Sequence, residues 1–511
     1  MDRYATSTRL LWVVLMLVGL AGCSLTPRAP AEAAFAHQAS FYMQRMVANQ
    51  APVHATISLG EAMARALKYN LELRVRQDQT NLANAKLKLQ HYSLLPEVVA
   101  NSGYANRNSY QASTSLDLIS NRLDSNPSTS QDRRQLNSDI TIGWDILDFG
   151  VSYIRAQQAA DEVLIAREIW RSTLHKMIED VRIQYWRAST YQRLIERLKK
   201  LDRRTTAALD NSAKLSRGSQ ANRLAVLNSE RELVRVKQAI KDLEQDLIAA
   251  KVELARLMNL KPGVEFAVKT DRPTHRHVII QMPIDDLLEL AVTKRPELRQ
   301  NWYEHRINVK EAQANVLDLI PSLRGYLTYN MSSNSFLLTN GWASAGATMS
   351  WSLIKLFQYP AKRYAVATKQ ELLDRQALAM SMSVVTQVYL GLVRYDYFNE
   401  KLAMAEKYLS VQKRLTRQMQ LEARASRVSE QELILEEMNE LIAEAKYDIA
   451  YADVQKAYGG LIASIGLEFS PVLDPQAPLD QLAASLEAGW NGALDKHQGL
   501  TLISQAKSAG E

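Results

Sequence analysis

Cysteine is almost absent from this chain of 511 residues, with one in the whole sequence, and proline (14), glycine (19) and aromatics (7%) are sparse. A single cysteine excludes an intrachain disulfide and any cysteine-pair metal or redox motif, so the fold must stand on packing. Three or so globular domains would be ordinary at this length. Few prolines and glycines, with long stretches of Ala, Leu, Glu, Gln, Lys and Arg, read instead as long helices packed on one another. Catalytic constellations are missing as well. The histidines (His37, His54, His91, His175, His275, His277, His305, His497) are scattered, and there is no phosphate-binding glycine loop and no Gly-x-Ser-x-Gly elbow. His275-Arg276-His277 lies among prolines without further ligands and reads as a solvated pair. No enzyme, cofactor or metal is expected. The net charge of +7 is modest and accompanies no RNP-like or zinc-finger pattern, so nucleic acid is not an expected partner.

What the chain does have is a repeat. Leu59, Met63, Ala66, Glu72, Leu73, Arg74 and Pro96 recur 225 positions later as Ile284, Leu288, Ala291, Glu297, Leu298, Arg299 and Pro321. Trp144 recurs 207 positions later as Trp351, and Arg155, Ala159, Leu164 and Arg167 recur 208 later as Arg363, Ala367, Leu372 and Arg375. The first copy therefore carries 18 extra residues between its proline and its tryptophan. The repeated order is helix, strand, strand, helix.

The N-terminus reads as an export address. Arg3 and Arg9 precede an apolar run of about 11 residues, too short for the roughly 20 that cross a bilayer as a helix. Leu20-Ala21-Gly22-Cys23 closes it and resembles a bacterial lipobox, which implies a signal peptide over 1–22 and lipidation of Cys23. Ser24 follows, which in that family favours the outer membrane. Residues 23–55, rich in Ala and Pro, read as a linker.

Residues 57–95 show helical spacing until Pro96 stops it. From 98 to 110 the period falls towards two, and 111–137 reads as an exposed loop. Ile140, Ile142, Trp144 and Ile146 then alternate strictly with Asp139, Thr141, Gly143 and Asp145, one apolar face against one polar. The second copy sets Leu323, Leu327, Tyr329 and Met331 against Arg324, Tyr326, Thr328 and Asn330, then Ala347, Met349, Trp351 and Leu353 against Thr348, Ser350 and Ser352. An ordinary half-buried sheet would alternate in the same way. With an outer-membrane address, the pattern favours a barrel wall with Trp144 and Trp351 at the membrane interface. Four strands cannot close a barrel, so several chains must contribute. Long helices follow each strand pair, over 151–216 and 219–260, then over 361–424 and 429–467. The copies thus span 56–260 and 284–467, with a proline-marked hinge at 261–283 and a C-terminal segment at 468–511 that includes an amphipathic stretch over 479–490.

Asn70-Leu71-Glu72-Leu73 with Arg295-Pro296-Glu297-Leu298, Leu95-Pro96 with Ile320-Pro321, and Trp144-Asp145-Ile146-Leu147-Asp148-Phe149-Gly150 with its degenerate copy at 351–358 come in order and in duplicate. In these motifs the chain resembles the TolC-type outer-membrane efflux and secretion channels, especially their lipidated members. The resemblance covers about residues 57–467. It implies a mainly α protein with a membrane β region, forming a homotrimer with a shared 12-stranded barrel continued by a helical periplasmic tunnel. It further implies helix-to-strand turns at Pro96 and Pro321, and export of small molecules from an inner-membrane transporter (RND, ABC or MFS) through a periplasmic adaptor. Protein or polymer secretion of type I is the alternative cargo class, and a coiled-coil lipoprotein without a pore is the alternative of another kind. The duplicated two-faced strands argue against the latter.

At the tunnel tips the chain departs from the family's Val-Gly pair and later Asp: in the first turn the Gly survives as Gly218 with Arg217 before it, and in the second Arg427 stands near the expected Gly. The first turn reads Leu215-Ser216-Arg217-Gly218-Ser219-Gln220 and the second Ala425-Ser426-Arg427-Val428-Ser429, with Ala225 and Leu433 at the Asp position. Lys214, Arg217, Arg223, Arg424 and Arg427 make both tips basic. The expectation is an entrance, centred on Arg217, Gly218, Ser219, Arg424, Arg427 and Ser429, that favours acidic adaptor surfaces or anionic cargo.

Overall fold

The computed structural model describes residues 29–53, 56–218, 223–270, 283–467 and 477–491. The chain divides into two units, Met1–Pro52 and Val53–Glu511. In the first, the segment read as a linker contains a helix, α1 (Glu32–Arg45), with Arg45 over the Phe41 ring at 5.0 Å. Alanine-rich composition serves a helix as readily as a tether.

In the second unit the element order appears twice. Helix α2 (Leu59–Tyr69) starts at Ser58, whose Oγ accepts from the Glu61 N–H at 3.1 Å. The pattern over 57–95 predicts one helix, but Asn70 turns extended (ψ 122°) and splits it. Its Oδ1 accepts from the Leu73 N–H at 3.1 Å and so opens α3 (Leu71–Tyr92). Strand β1 (Glu97–Asn106) follows Pro96. The loop at 111–137 holds two miniature hairpins: β2 (Ala112–Ser113) with β5 (Ser128–Thr129), and β3 (Leu116–Asp117) with β4 (Arg122–Leu123). Strand β6 (Arg134–Asp145) begins inside that loop, then runs into α4 (Ile146–Gly218) and on to α5 (Arg223–Leu257).

The second copy gives α6 (Ile284–Lys294), α7 (Pro296–Leu317), β7 (Ser322–Ser332), β8 (Gly341–Ser350), α8 (Ile354–Arg424) and α9 (Glu430–Ile465). Here Arg295 stands extended where the first copy has Asn70, because Pro296 at the first helical position pushes its predecessor out of the helical region. Helix α8 starts before Pro360 rather than after it; in the second turn the missing N–H forfeits one hydrogen bond. With 73 residues, α4 is about 110 Å long at 1.5 Å per residue.

The sheet order is β1-β6-β7-β8, antiparallel throughout, so the copies join through β6 and β7. The helices follow the same order. Next to the sheet they lie α3, α4, α7, α8; farther along α4 the order is α5, α4, α9, α8. Helix α4 is the spine shared by both copies. One core cluster joins Met63, Leu67, Ile178, Val181, Leu254, Leu287 and Leu461; a second joins Leu194, Leu198, Ile240, Ile434 and Met438 among α4, α5 and α9.

Part of the segment read as a hinge is core. Val268 forms a parallel bridge with Ile57, whose N–H donates to the Ala267 carbonyl at 2.9 Å, and Phe266 is buried. Helix α10 (Leu479–Asn491) buries Leu482 and Leu486 against α2. A Cβ on Gly60 would meet the Ala483 carbonyl oxygen at 2.8 Å, so this approach requires glycine.

Candidate functional site

Each main strand has one apolar and one polar face. On β6, Leu136, Ile140, Ile142 and Trp144 point one way and are between 45% and 49% exposed. Register places Val98 and Ile142 beside Leu327 and Ala345, and Ala100 and Ile140 beside Tyr329 and Ala343, so the apolar face runs across all four strands. A face this broad calls for cover other than water. The opposite face is cross-linked by polar groups. Asn101 Nδ2 donates to Asp139 Oδ2 at 3.0 Å, the Thr141 and Thr328 hydroxyls meet at 2.9 Å, and Asn330 Nδ2 donates to Ser344 Oγ at 3.1 Å. At the helix end of the sheet, Arg324 Nη2 donates to Glu97 Oε2 at 2.9 Å.

Among the described residues β1 pairs only with β6 and β8 only with β7, so the outer edges of both keep free backbone donors and acceptors. The helical wall has matching flanks, α3 and α5 on one side and α8 on the other. Of the helices, α8 alone among the described residues carries an 18-residue stretch apolar enough to cross a membrane, and 11% of that stretch is buried. With 71 residues α8 as a whole is too long for a bilayer, and so exposed an apolar stretch suits lateral contact between helices.

The four points where helix and strand meet hold the residues singled out from sequence. Pro96 and Pro321 stand directly before β1 and β7, and Trp144 and Trp351 lie where β6 and β8 pass into α4 and α8. Trp144 is 48% exposed and meets Phe149 edge-on at 5.7 Å; Trp351 is 51% exposed and its Nε1 donates to the Leu319 carbonyl at 3.1 Å, next to Pro321. Asp145 ends the strand and caps α4, Oδ1 accepting from the Leu147 and Asp148 N–H groups, both at 3.0 Å. Helix α8 has no side-chain cap.

At the far tip, α8 ends at Arg424, and Ser426 takes a left-handed φ of 55°. Arg427 is exposed but pairs with Glu422 at 3.4 Å. Ser429 starts α9 with a reciprocal cap: its Oγ accepts from the Glu432 N–H at 3.2 Å, and Glu432 Oε2 accepts from the Ser429 N–H at 3.0 Å. The Ser429 N–H, and after it the Ser429 hydroxyl, donate to Glu432 Oε2 and hold that carboxyl below the usual carboxylate range. This side of the tip, read as basic, is partly charge-compensated. On the other side α4 continues through Gly218, where the sequence predicts a turn at 215–220. Cys23, Ser219, His275, His277 and the side chain of Arg217 lie outside the described residues.

Sequence reasoning missed the electrostatic seam between the copies. Asp161, 1% exposed on α4, pairs with Arg306 and, at 3.0 Å, with Lys310 of α7. Glu168 pairs with Arg299 of α7 at 3.2 Å; farther along, Arg193 pairs with Asp448 of α9 at 2.5 Å and Arg197 with Glu440 at 3.2 Å. At the changeover from α9 to α7, Arg171 donates to the carbonyls of Lys294 (2.6 Å) and Gly466 (3.2 Å), and Arg295 donates to that of Ala463 (3.0 Å) and to Gln387 (2.7 Å). His175 is buried beside them, and burial first, then the two arginines, lowers its pKa to about 4. A cavity of about 830 Å³ lies at this changeover, lined in part by Lys176, Glu179, Arg394 and Lys456. Among the described residues no group of His, Cys, Asp and Glu could hold a metal ion.

No family model matches the sequence, and the search of curated proteins returns no match. Solved structures do match. The Campylobacter jejuni CmeC outer membrane channel superposes with a TM-score of 0.63 at 11% identity, over 91% of this chain and 98% of that one. The open state of the Neisseria gonorrhoeae MtrE outer membrane channel gives 0.57 at 14% identity, over 87% and 100%. CusC, described as forming a transmembrane channel, gives 0.60 at 13% identity, over 83% and 96%. The fold of this chain is that of these channels.

Proposed function

We propose that the chain is the outer-membrane channel subunit of a tripartite efflux system, exporting small molecules across the periplasm and outer membrane of a Gram-negative bacterium. One observation carries this reading: an apolar sheet face and a hydrogen-bonded polar face are both open, on a sheet and a helical wall whose two flanks are unfilled. Closing the sheet against further copies turns the apolar face to lipid and the polar face to water. Two chains would supply eight strands, whose interior side chains fill; three supply twelve and leave a passage. Lumen-facing Arg324, Tyr326 and Trp342 need that extra width.

The helices then continue the passage as a tunnel, formed by the same three chains and sealed where α8 of one lies against α3 and α5 of the next. A periplasmic adaptor and an inner-membrane transporter of the RND, ABC or MFS type engage its far tip, around Arg217, Gly218, Ser219, Arg424, Arg427 and Ser429. Lipidation of Cys23 anchors the N-terminus, and Trp144 and Trp351 mark the membrane interface. The chain performs no chemistry of its own.

The test is to extract the mature chain from membranes in detergent, determine its assembly mass, and reconstitute it in a planar bilayer. Three copies per particle and discrete conductance steps are expected. A detergent-independent monomer that leaves the bilayer silent overturns the reading.

A further inference from the structure

Four residues lie in one register row on the polar face near the helix end of the sheet: Glu97, Gly143, Tyr326 and Gly346. Large and absent side chains alternate along it, and a side chain lies over each gap: Tyr326 over Gly346, and Arg324 of the adjoining row over Gly143. A Cβ on Gly143 would meet Arg324 Nη2 at 2.8 Å and Nε at 2.9 Å, so the guanidinium rests flat on that backbone on its way to Glu97. A Cβ on Gly346 would meet the Tyr326 hydroxyl at 2.5 Å, so the phenol rests there likewise. Arg324 thereby spans from β7 over β6 to β1. Its cross-strand register partner, Asp145, is committed to capping α4.

We propose that Glu97 and Gly143 neutralise and seat Arg324 on the passage wall, so that this layer presents neither a net charge nor a protruding side chain to passing ions. The inference rests on the channel reading. Glu97 cancels the guanidinium charge, and the bare backbone at Gly143 keeps the side chain against the wall rather than in the lumen. Both glycines are positions where only hydrogen leaves room for a neighbour to lie down. Uncancelled rings of charge set selectivity in pores, so removing either partner of the pair should create one.

The test is reversal potential and conductance in planar bilayers under a potassium chloride gradient, using the full assembled chain. Glu97→Gln should leave one uncancelled positive charge per chain and raise chloride over potassium permeability, and Arg324→Gln should do the reverse, each by about two- to fivefold for a partly screened charge. Gly143→Val should lower conductance by lifting Arg324 off the wall, and the double variant with Arg324→Gln should restore it. That rescue separates a displaced guanidinium from a damaged sheet. Wild type that conducts while the charge variants keep its reversal potential overturns this proposal alone; wild type that never conducts overturns the channel reading and this proposal together.

Discussion

His175 sits on α4 where the two copies meet, 6% exposed, with Arg171 and Arg295 beside it. An unfolded imidazole takes up a proton near pH 6.5, whereas this one does so only near 4. Between those values the unfolded chain binds a proton that the folded chain refuses, so stability falls as pH drops from 6.5 to 4 and the loss then levels off. At 1.36 kcal/mol per unit the total is about 3 kcal/mol. Replacing His175 with Gln should remove this component. Heat-unfolding midpoints of wild type and His175→Gln at pH 7.5 and 4.5 check it: wild type should lose more on acidification, and parallel losses would refute the assignment. Nothing in the sequence marks His175 apart from seven other histidines, because its pKa comes first from burial, which only the assembled fold provides, and then from Arg171 one turn back and Arg295 of the second copy.

At the scale of elements, the duplication is plain in length as well as in motif. Helices α3 and α7 have 22 residues each, α4 and α8 have 73 and 71, and α5 and α9 have 35 and 36. Copies of equal length bring matching ends together, which is why Asn70 and Arg295 can perform one task with different side chains. Asn70 Nδ2 donates to the Leu257 carbonyl at 3.1 Å, closing the end of α5, as Arg295 closes that of α9 through Ala463. The tip turn between α8 and α9 depends on Ser429. Ser429→Ala removes the hydroxyl arm of its cap, leaving the backbone N–H to donate to Glu432, and should cost about 1 kcal/mol, speeding amide exchange in the first turn of α9 about fivefold. Exchange rates equal to wild type over residues 430–433 would show that the cap contributes nothing there.

For the whole molecule, the decisive property is the solvent that each face of the sheet meets. Ile142→Arg puts a charge in the middle of the apolar face and should cost about 2–4 kcal/mol of membrane stability. Asn101→Arg sets the same charge on the opposite face, within reach of Asp139, and should insert normally. Membrane fractionation of the two variants separates lipid from water on the two sides; equal insertion would mean that the apolar face meets something other than lipid.

Sequence by itself determined the elements and their duplication. Periodicity is local: alternation in β6, β7 and β8 and three- and four-residue spacing along the helices depend only on which residues lie within a few positions of one another. Proline at 96 and 321 fixed where helix gives way to strand for the same local reason. Tertiary structure alone decided what depends on distant partners. It split the helix read over 57–95 at Asn70 and drew residues 266–268 from an assumed hinge into the core beside Ile57. It also joined Asp161 to Arg306 and Lys310, lowered the pKa of His175, and laid Arg324 over Gly143 onto Glu97. A side chain's environment is set by strands and helices brought together from far along the chain, and short-range spacing carries no record of them.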